Sequence, residues 1–103
     1  MQVEINPSEY TVLIVDDTIA NVLLLKVLIG NQKYRIVTAG NGMEALQAVE
    51  KESPDLILLD IMMPGMNGYE VAEKLKADPQ TQEIPIIFLT ALNSTNDIVK
   101  GFK

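Results

Sequence analysis

Leu56-Ile57-Leu58-Leu59-Asp60-Ile61-Met62-Met63-Pro64-Gly65-Met66-Asn67-Gly68 joins an unbroken apolar run, a carboxylate and a glycine-punctuated loop. Its first four residues show no alternation of apolar and polar positions. A short continuous run of this kind predicts a strand buried on both faces, as in a parallel sheet covered by helices. Two further runs share the pattern. Val12-Leu13-Ile14-Val15 ends in Asp16-Asp17, and Ile84-Pro85-Ile86-Ile87-Phe88-Leu89 ends in Thr90. Residues 34–38, Tyr-Arg-Ile-Val-Thr, form a weaker strand pattern suited to a position near an edge.

Helical patterns lie between these runs. Residues 18–29 are apolar over most of their surface, and Gly30-Asn31 supplies a stop. Residues 41–51 place Met43, Leu46, Val49 and Glu50 at helical spacing, with Pro54 in the loop that follows. Residues 67–76 predict a helix that buries Val71, Ala72 and Leu75 and stops at Asp78-Pro79. Residues 95–103 predict a fourth helix, capped by Ser94 or Thr95, with Ile98, Val99 and Phe102 as apolar positions. Strand and helix therefore alternate four times. Short connections and strict alternation predict a doubly wound α/β fold with right-handed crossovers. There is no internal repeat, low-complexity segment or second domain. Residues 1–9 read as an N-terminal tail and residues 10–103 as the domain.

Composition narrows the function. The 103 residues suffice for one domain, and 48% of them are hydrophobic, enough for a packed core. The chain has no cysteine and no histidine. That excludes a disulfide scaffold, a thiolate metal site and imidazole chemistry, and it fits a reducing compartment. The net charge of -6 opposes direct binding of nucleic acid or anionic membrane by this domain. Residues 1–9 lack the apolar core of a signal peptide. The longest apolar stretch, residues 22–29, is interrupted by Lys26 and too short to span a bilayer. A cytoplasmic location is the expectation.

The chemistry lies in how the runs end. In a parallel sheet the C-terminal strand ends share one edge, and ligands bind there, where strand order reverses. Neighbouring strands lie about 4.8 Å apart. With the first and second buried runs as neighbours, Asp16, Asp17 and Asp60 converge within reach of one ion. Three anions in one place repel, and a hard divalent cation relieves the repulsion. Mg²⁺ or Mn²⁺ suits an oxygen-only site without Cys or His. Such a site suits phosphate, and a carboxylate can itself be the nucleophile that forms an aspartyl phosphate. A lone strand-end Asp often does no more than cap the next helix. A pair followed by a third carboxylate on another strand end is harder to explain in that way. Met62, Met63 and Met66 are packing and loop residues on this reading, because a soft thioether matches a hard cation poorly.

Val15-Asp16-Asp17, Leu58-Leu59-Asp60-Ile61-Met62-Met63-Pro64-Gly65-Met66-Asn67-Gly68 and Pro85-Ile86-Ile87-Phe88-Leu89-Thr90-Ala91 together resemble the receiver domains of response regulators, in order and in spacing. The resemblance covers residues 10–103. It implies a flavodoxin-like strand order 2-1-3-4 and makes Asp60 the phosphoacceptor. It also implies Mg²⁺ (or Mn²⁺) held by Asp17 and Asp60 directly, by Asp16 mostly through water, and by the Met62 backbone carbonyl. Thr90 matches the hydroxyl that bonds the phosphoryl group and helps to switch the domain. Pro64-Gly65 and Gly68 match the tight loop beside the site, and Met62 and Leu92 match positions that tune the lifetime of the phosphoryl group. The implied partners are a histidine kinase or phosphotransfer protein as donor and an output domain or effector protein as receiver of the signal. The implied chemistry is self-modification, not turnover.

The resemblance also implies a fifth strand and last helix, which are missing here. With them goes a Lys followed by Pro, which Lys100 and Lys103 do not match. The expectation is a domain truncated at its C-terminus, with the fourth strand left as an apolar edge that promotes self-association. Two alternatives are set against this reading. An unphosphorylated pseudo-receiver scaffold is opposed by the intact Asp16, Asp17 and Asp60. A Mg²⁺-dependent phosphatase or hydrolase usually needs a second acid two residues after the nucleophile, where this chain has Met62.

Overall fold

The computed structural model describes residues 10–30 and 34–89. Seven elements follow one another as β1 (Thr11–Val15), α1 (Ile19–Gly30), β2 (Arg35–Ala39), α2 (Gly42–Glu52), β3 (Leu56–Asp60), α3 (Gly68–Ala77) and β4 (Ile86–Leu89). The four strands pair in parallel in the order β2-β1-β3-β4, a doubly wound, flavodoxin-like sheet. Among the described residues there is no fifth strand and no helix after α3. The chain runs outward from β1 to β2 and then back across to β3. The switch point therefore falls between the C-terminal ends of β1 and β3.

The unbroken apolar runs are buried as their pattern requires. Every residue of β1 is buried, and so are four of the five in β3. Leu13, Val15, Ile57 and Leu59 face Ala45 and Val49 of α2 and Val71, Ala72 and Leu75 of α3. Val12, Ile14 and Leu58 face the other way, packed by Val22, Leu25 and Ile29 of α1. Helix α3 buries the three residues expected of it, Val71, Ala72 and Leu75.

Several boundaries differ from the sequence expectation, each for a local reason. The expected strand 34–38 lies one residue later, because the Arg35 amide donates to Tyr10 and the ladder continues to Ala39. The expected strand 84–89 starts at Ile86. The Ile84 amide is taken by Thr81 in a turn, and Pro85 has no amide to donate. Its residues are also half-exposed to exposed, unlike those of β1 and β3. In α2 the inward stripe is Gly42, Ala45 and Val49, and Met43 is exposed. In α1 no residue is fully buried. The expected tail at residues 1–9 and the expected helix at 95–103 lie outside the described residues. No helix among the described residues is long and apolar enough to cross a membrane.

Candidate functional site

β1 and β3 place the carboxylates. Leu59 pairs with Val15 in the register, so Asp60, the last residue of β3, and Asp16, just past β1, lie side by side. Asp16 is held at this edge by its own amide, which donates to the Ala39 carbonyl at 3.1 Å. Carboxylate oxygens of Asp16, Asp17 and Asp60 all lie within 4.8 Å of one another. Asp16 and Asp60 are buried and Asp17 is exposed, so the cluster opens to solvent on one side.

Each carboxylate has a different local tie. Asp16 Oδ1 accepts from the Thr18 amide at 2.9 Å, just before α1 begins. The Thr18 amide precedes the first residue of α1, so this bond fixes the turn between β1 and α1, while Asp17 faces the cluster. Asp60 Oδ1 accepts from the Met62 amide at 3.1 Å. Burial pushes the Asp60 carboxyl up from 3.8 to about 6, and the neighbouring charges of Asp16 and Asp17 push the same way. The Met62 hydrogen bond opposes them only in part. Among the described residues no cation pairs with these carboxylates. The ion pair found there, Arg35 to Glu52 at 2.6 Å, starts at the first residue of β2, at the opposite end of the sheet.

The loop after Asp60 is fixed by close backbone packing. The Gly68 amide donates to the Ile61 carbonyl at 3.0 Å. A Cβ on Gly68 would lie 2.3 Å from the Asp60 carbonyl oxygen. Gly65 and Gly68 serve the tight loop differently: Gly65 has a φ of 77°, which favours glycine, whereas Gly68 is needed for close approach. The Met62 amide lies beside Asp60 and its side chain is exposed, while Met63 turns into the core. Thr90 and Leu92 lie outside the described residues. The structure therefore brings together Asp16, Asp17, Asp60 and the Met62 backbone. Sequence reasoning missed Gly42, whose role depends on a residue of the distant loop.

A hard divalent cation fits this donor set, which is oxygen-only, crowded with negative charge and partly open. The same edge has the elements for phosphoryl chemistry: a buried carboxylate at a strand end, two acidic neighbours and an adjacent backbone amide.

Comparison with known proteins agrees with this geometry. The family model for the response regulator receiver domain matches residues 12–103. The chain is 45% identical over 92 residues to the response regulator PleD of Caulobacter vibrioides, covering 89% of this chain and 20% of that protein. It is 43% identical over 96 residues to a probable cyclic di-GMP phosphodiesterase of Vibrio cholerae, covering 93% of this chain and 22% of that protein. The chain thus spans about a fifth of the length of these two relatives. Among solved structures it is similar to the N-terminal domain of a response regulator receiver protein from Methanoculleus marisnigri JR1. That match has a TM-score of 0.76 and 37% identity, covering 88% of this chain and 75% of the other.

Proposed function

The chain belongs to the response regulator receiver domain family, the phosphoacceptors of two-component signalling, and from that premise we propose that Asp60 is its phosphorylated residue. The observation that carries the proposal is the convergence of three carboxylates within 4.8 Å, with no described cation paired to them. The donor is a histidine kinase or phosphotransfer protein. An Asp60 carboxylate oxygen forms a bond to phosphorus as the donor's N–P bond breaks, and the bonding pair leaves with the imidazole nitrogen.

Asp16, Asp17, Asp60 and the Met62 carbonyl are proposed to hold Mg²⁺ (or Mn²⁺), which when bound neutralises charge that develops on the phosphoryl oxygens. Asp60 supplies the nucleophile, and its ionised form is required. Asp16 and Asp17 add negative charge that attracts the cation, and the Met62 amide orients Asp60. Thr90 follows β4 in the sequence and is assigned, on the resemblance alone, to the hydroxyl that bonds the phosphoryl group. The domain, residues 10–103, acts in the cytoplasm. It catalyses only its own phosphorylation and dephosphorylation, and it passes its state to an output domain or effector protein. Self-association through the exposed apolar faces of α1 and β4 belongs to the same proposal.

Incubation of the protein with a small-molecule phosphodonor and Mg²⁺, followed by peptide mapping, is expected to place the phosphoryl group on Asp60. Phosphate retained at the same level in an Asp60→Asn variant would overturn the assignment.

A further inference from the structure

We infer that Met66 and Gly42 form a positioning contact that fastens the loop after Asp60 to the start of α2 and so holds the acidic site together. The inference rests on reading this edge as a Mg²⁺ site. Three observations lead to it. The first is the fit between the two residues. A Cβ built on Gly42 would lie 2.8 Å from Met66 Cβ and 3.0 Å from both its Cγ and its Sδ. Gly42 is buried and Met66 is half-buried against the core formed with α2 and α3. The side chain of Met66 therefore occupies the space that any residue larger than glycine would need.

The second observation is that Gly42 is tied to the site from its own side. Ala39 accepts from the Asp16 amide at 3.1 Å, and only Gly40 and Asn41 separate Ala39 from Gly42. That short turn is itself fixed. The Gly40 amide donates to Glu44 Oε1 at 2.9 Å, and Asn41 Oδ1 accepts from the Glu44 amide at 2.9 Å. The third is that Met66 belongs to the loop that carries Met62, whose amide donates to Asp60 Oδ1. Gly68 pins the far end of this loop at Ile61 and Asp60. Met66 pins it sideways. The contact closes a path from Asp16, through Ala39 and Gly42, to Met66 and back to Asp60. A flexible thioether adapts to a gap this narrow, and Leu, of similar volume, is the substitute that should disturb it least.

Residues behind a metal site that orient its ligands typically change affinity by 10–100-fold when altered. The test is a Mg²⁺ titration of the full chain, followed by amide NMR shifts at Asp16, Asp17 and Asp60. It compares wild type with Gly42→Ala, Met66→Ala, Met66→Leu and the Gly42→Ala/Met66→Ala pair. Gly42→Ala and Met66→Ala are each expected to lose about tenfold in Mg²⁺ affinity. Met66→Leu should keep most of it. The double variant should recover little of the Gly42→Ala loss, because truncation removes Met66 Cγ and Sδ but keeps Cβ, which lies nearest the added methyl at 2.8 Å. Thermal unfolding without Mg²⁺ runs in parallel. Folded variants with lowered melting temperatures but wild-type Mg²⁺ affinity would show a merely structural role and overturn the inference. Should Met66→Ala fail to fold, Gly42→Ala, which keeps the Met66 side chain, decides by the same readout. A wild-type chain whose amides do not respond to Mg²⁺ would overturn the metal reading and this inference with it. Responsive wild type with equally responsive variants would overturn the inference alone.

Discussion

Asp60 is ionised at neutral pH against the preference of its surroundings. Burial and two neighbouring carboxylates raise it from 3.8 to about 6. Between those values the folded chain holds a proton that the unfolded chain has released. Stability therefore falls as pH rises from about 4 to about 6, and the full penalty is present above that window. The penalty is at most roughly 3 kcal/mol, and it is smaller to the extent that solvent on the open side of the cluster screens the charges. In metal-free buffer at pH 7.5, Asp60→Asn is expected to raise the melting temperature by about 5 °C or more. At pH 4 the gain should vanish, since Asp60 is then largely neutral. Thermal unfolding followed by circular dichroism at both pH values tests this, and an equal gain at both would exclude the electrostatic account. Mg²⁺ should shrink the difference at pH 7.5 by stabilising the ionised wild type. The glycines give a second test of the site's geometry. Gly68→Ala forces a methyl against the Asp60 carbonyl, and a core overpacked in this way typically loses about 1–3 kcal/mol. At Gly30 no described residue lies within 4 Å of an added Cβ, so Gly30→Ala should be neutral or stabilise by up to about 1 kcal/mol. Urea unfolding of the two variants should place them on opposite sides of wild type.

At the scale of elements, β1 and β3 were legible because a strand buried on both faces leaves an unbroken apolar run. The acidic cluster was legible for the same reason: a parallel sheet puts the ends of such runs on one edge, so Asp16, Asp17 and Asp60 had to meet. Among the described residues β4 is the apolar edge expected of it, and only its start differs, at Ile86 and not Ile84, because a turn takes the Ile84 amide and Pro85 has none. Met43 was misplaced in α2 because two small residues, Gly42 and Ala45, carry the inward stripe there, and small residues weigh little in a hydrophobic pattern. The Met66–Gly42 contact joins residues on different elements and leaves no periodic trace. The start of α3 is a case where local sequence decides local structure. Asn67 and Glu70 form a reciprocal capping box, with bonds of 2.9 and 3.1 Å between side chains and amides. Asn67→Ala is expected to cost about 1 kcal/mol. Because α3 follows the Asp60 loop directly, amide exchange should quicken in its first turn and in residues 61–67. Faster exchange spread evenly over the whole chain would instead indicate a global loss of stability.

Across the whole molecule, the two faces of the sheet are covered unequally. α2 and α3 pack on one face and, among the described residues, α1 alone packs on the other. Along the row Ile14, Leu58 and Ile87, exposure climbs from 0% through 8% to 51% as distance from α1 grows. α1 is itself apolar on every side and carries a single charge, Lys26. Helices of that kind are normally enclosed. Here Ile19, Leu23, Leu24, Val27 and Leu28 are exposed, and so are Ile87 and Phe88 on β4. β4 pairs with β3 on one side, and among the described residues no strand pairs with its other side. An open strand edge beside exposed apolar side chains is a template for association. The occupant expected is a second copy of the chain, which brings the same surfaces and needs no charge complementarity. The net charge of -6 opposes such pairing. That opposition makes the expectation specific, because salt screens repulsion between exposed charges and leaves apolar contact intact. Light scattering on the 103-residue chain should give a mass above that of a monomer at high protein concentration, and the mass should rise with added sodium chloride. Leu23→Glu/Val27→Glu places charge on the α1 surface without touching the core and should return the mass to that of a monomer. A wild-type chain that stays monomeric at every concentration and salt level would show that neither exposed face associates. Association that survives the double substitution unchanged would move the contact from α1 to the β4 edge.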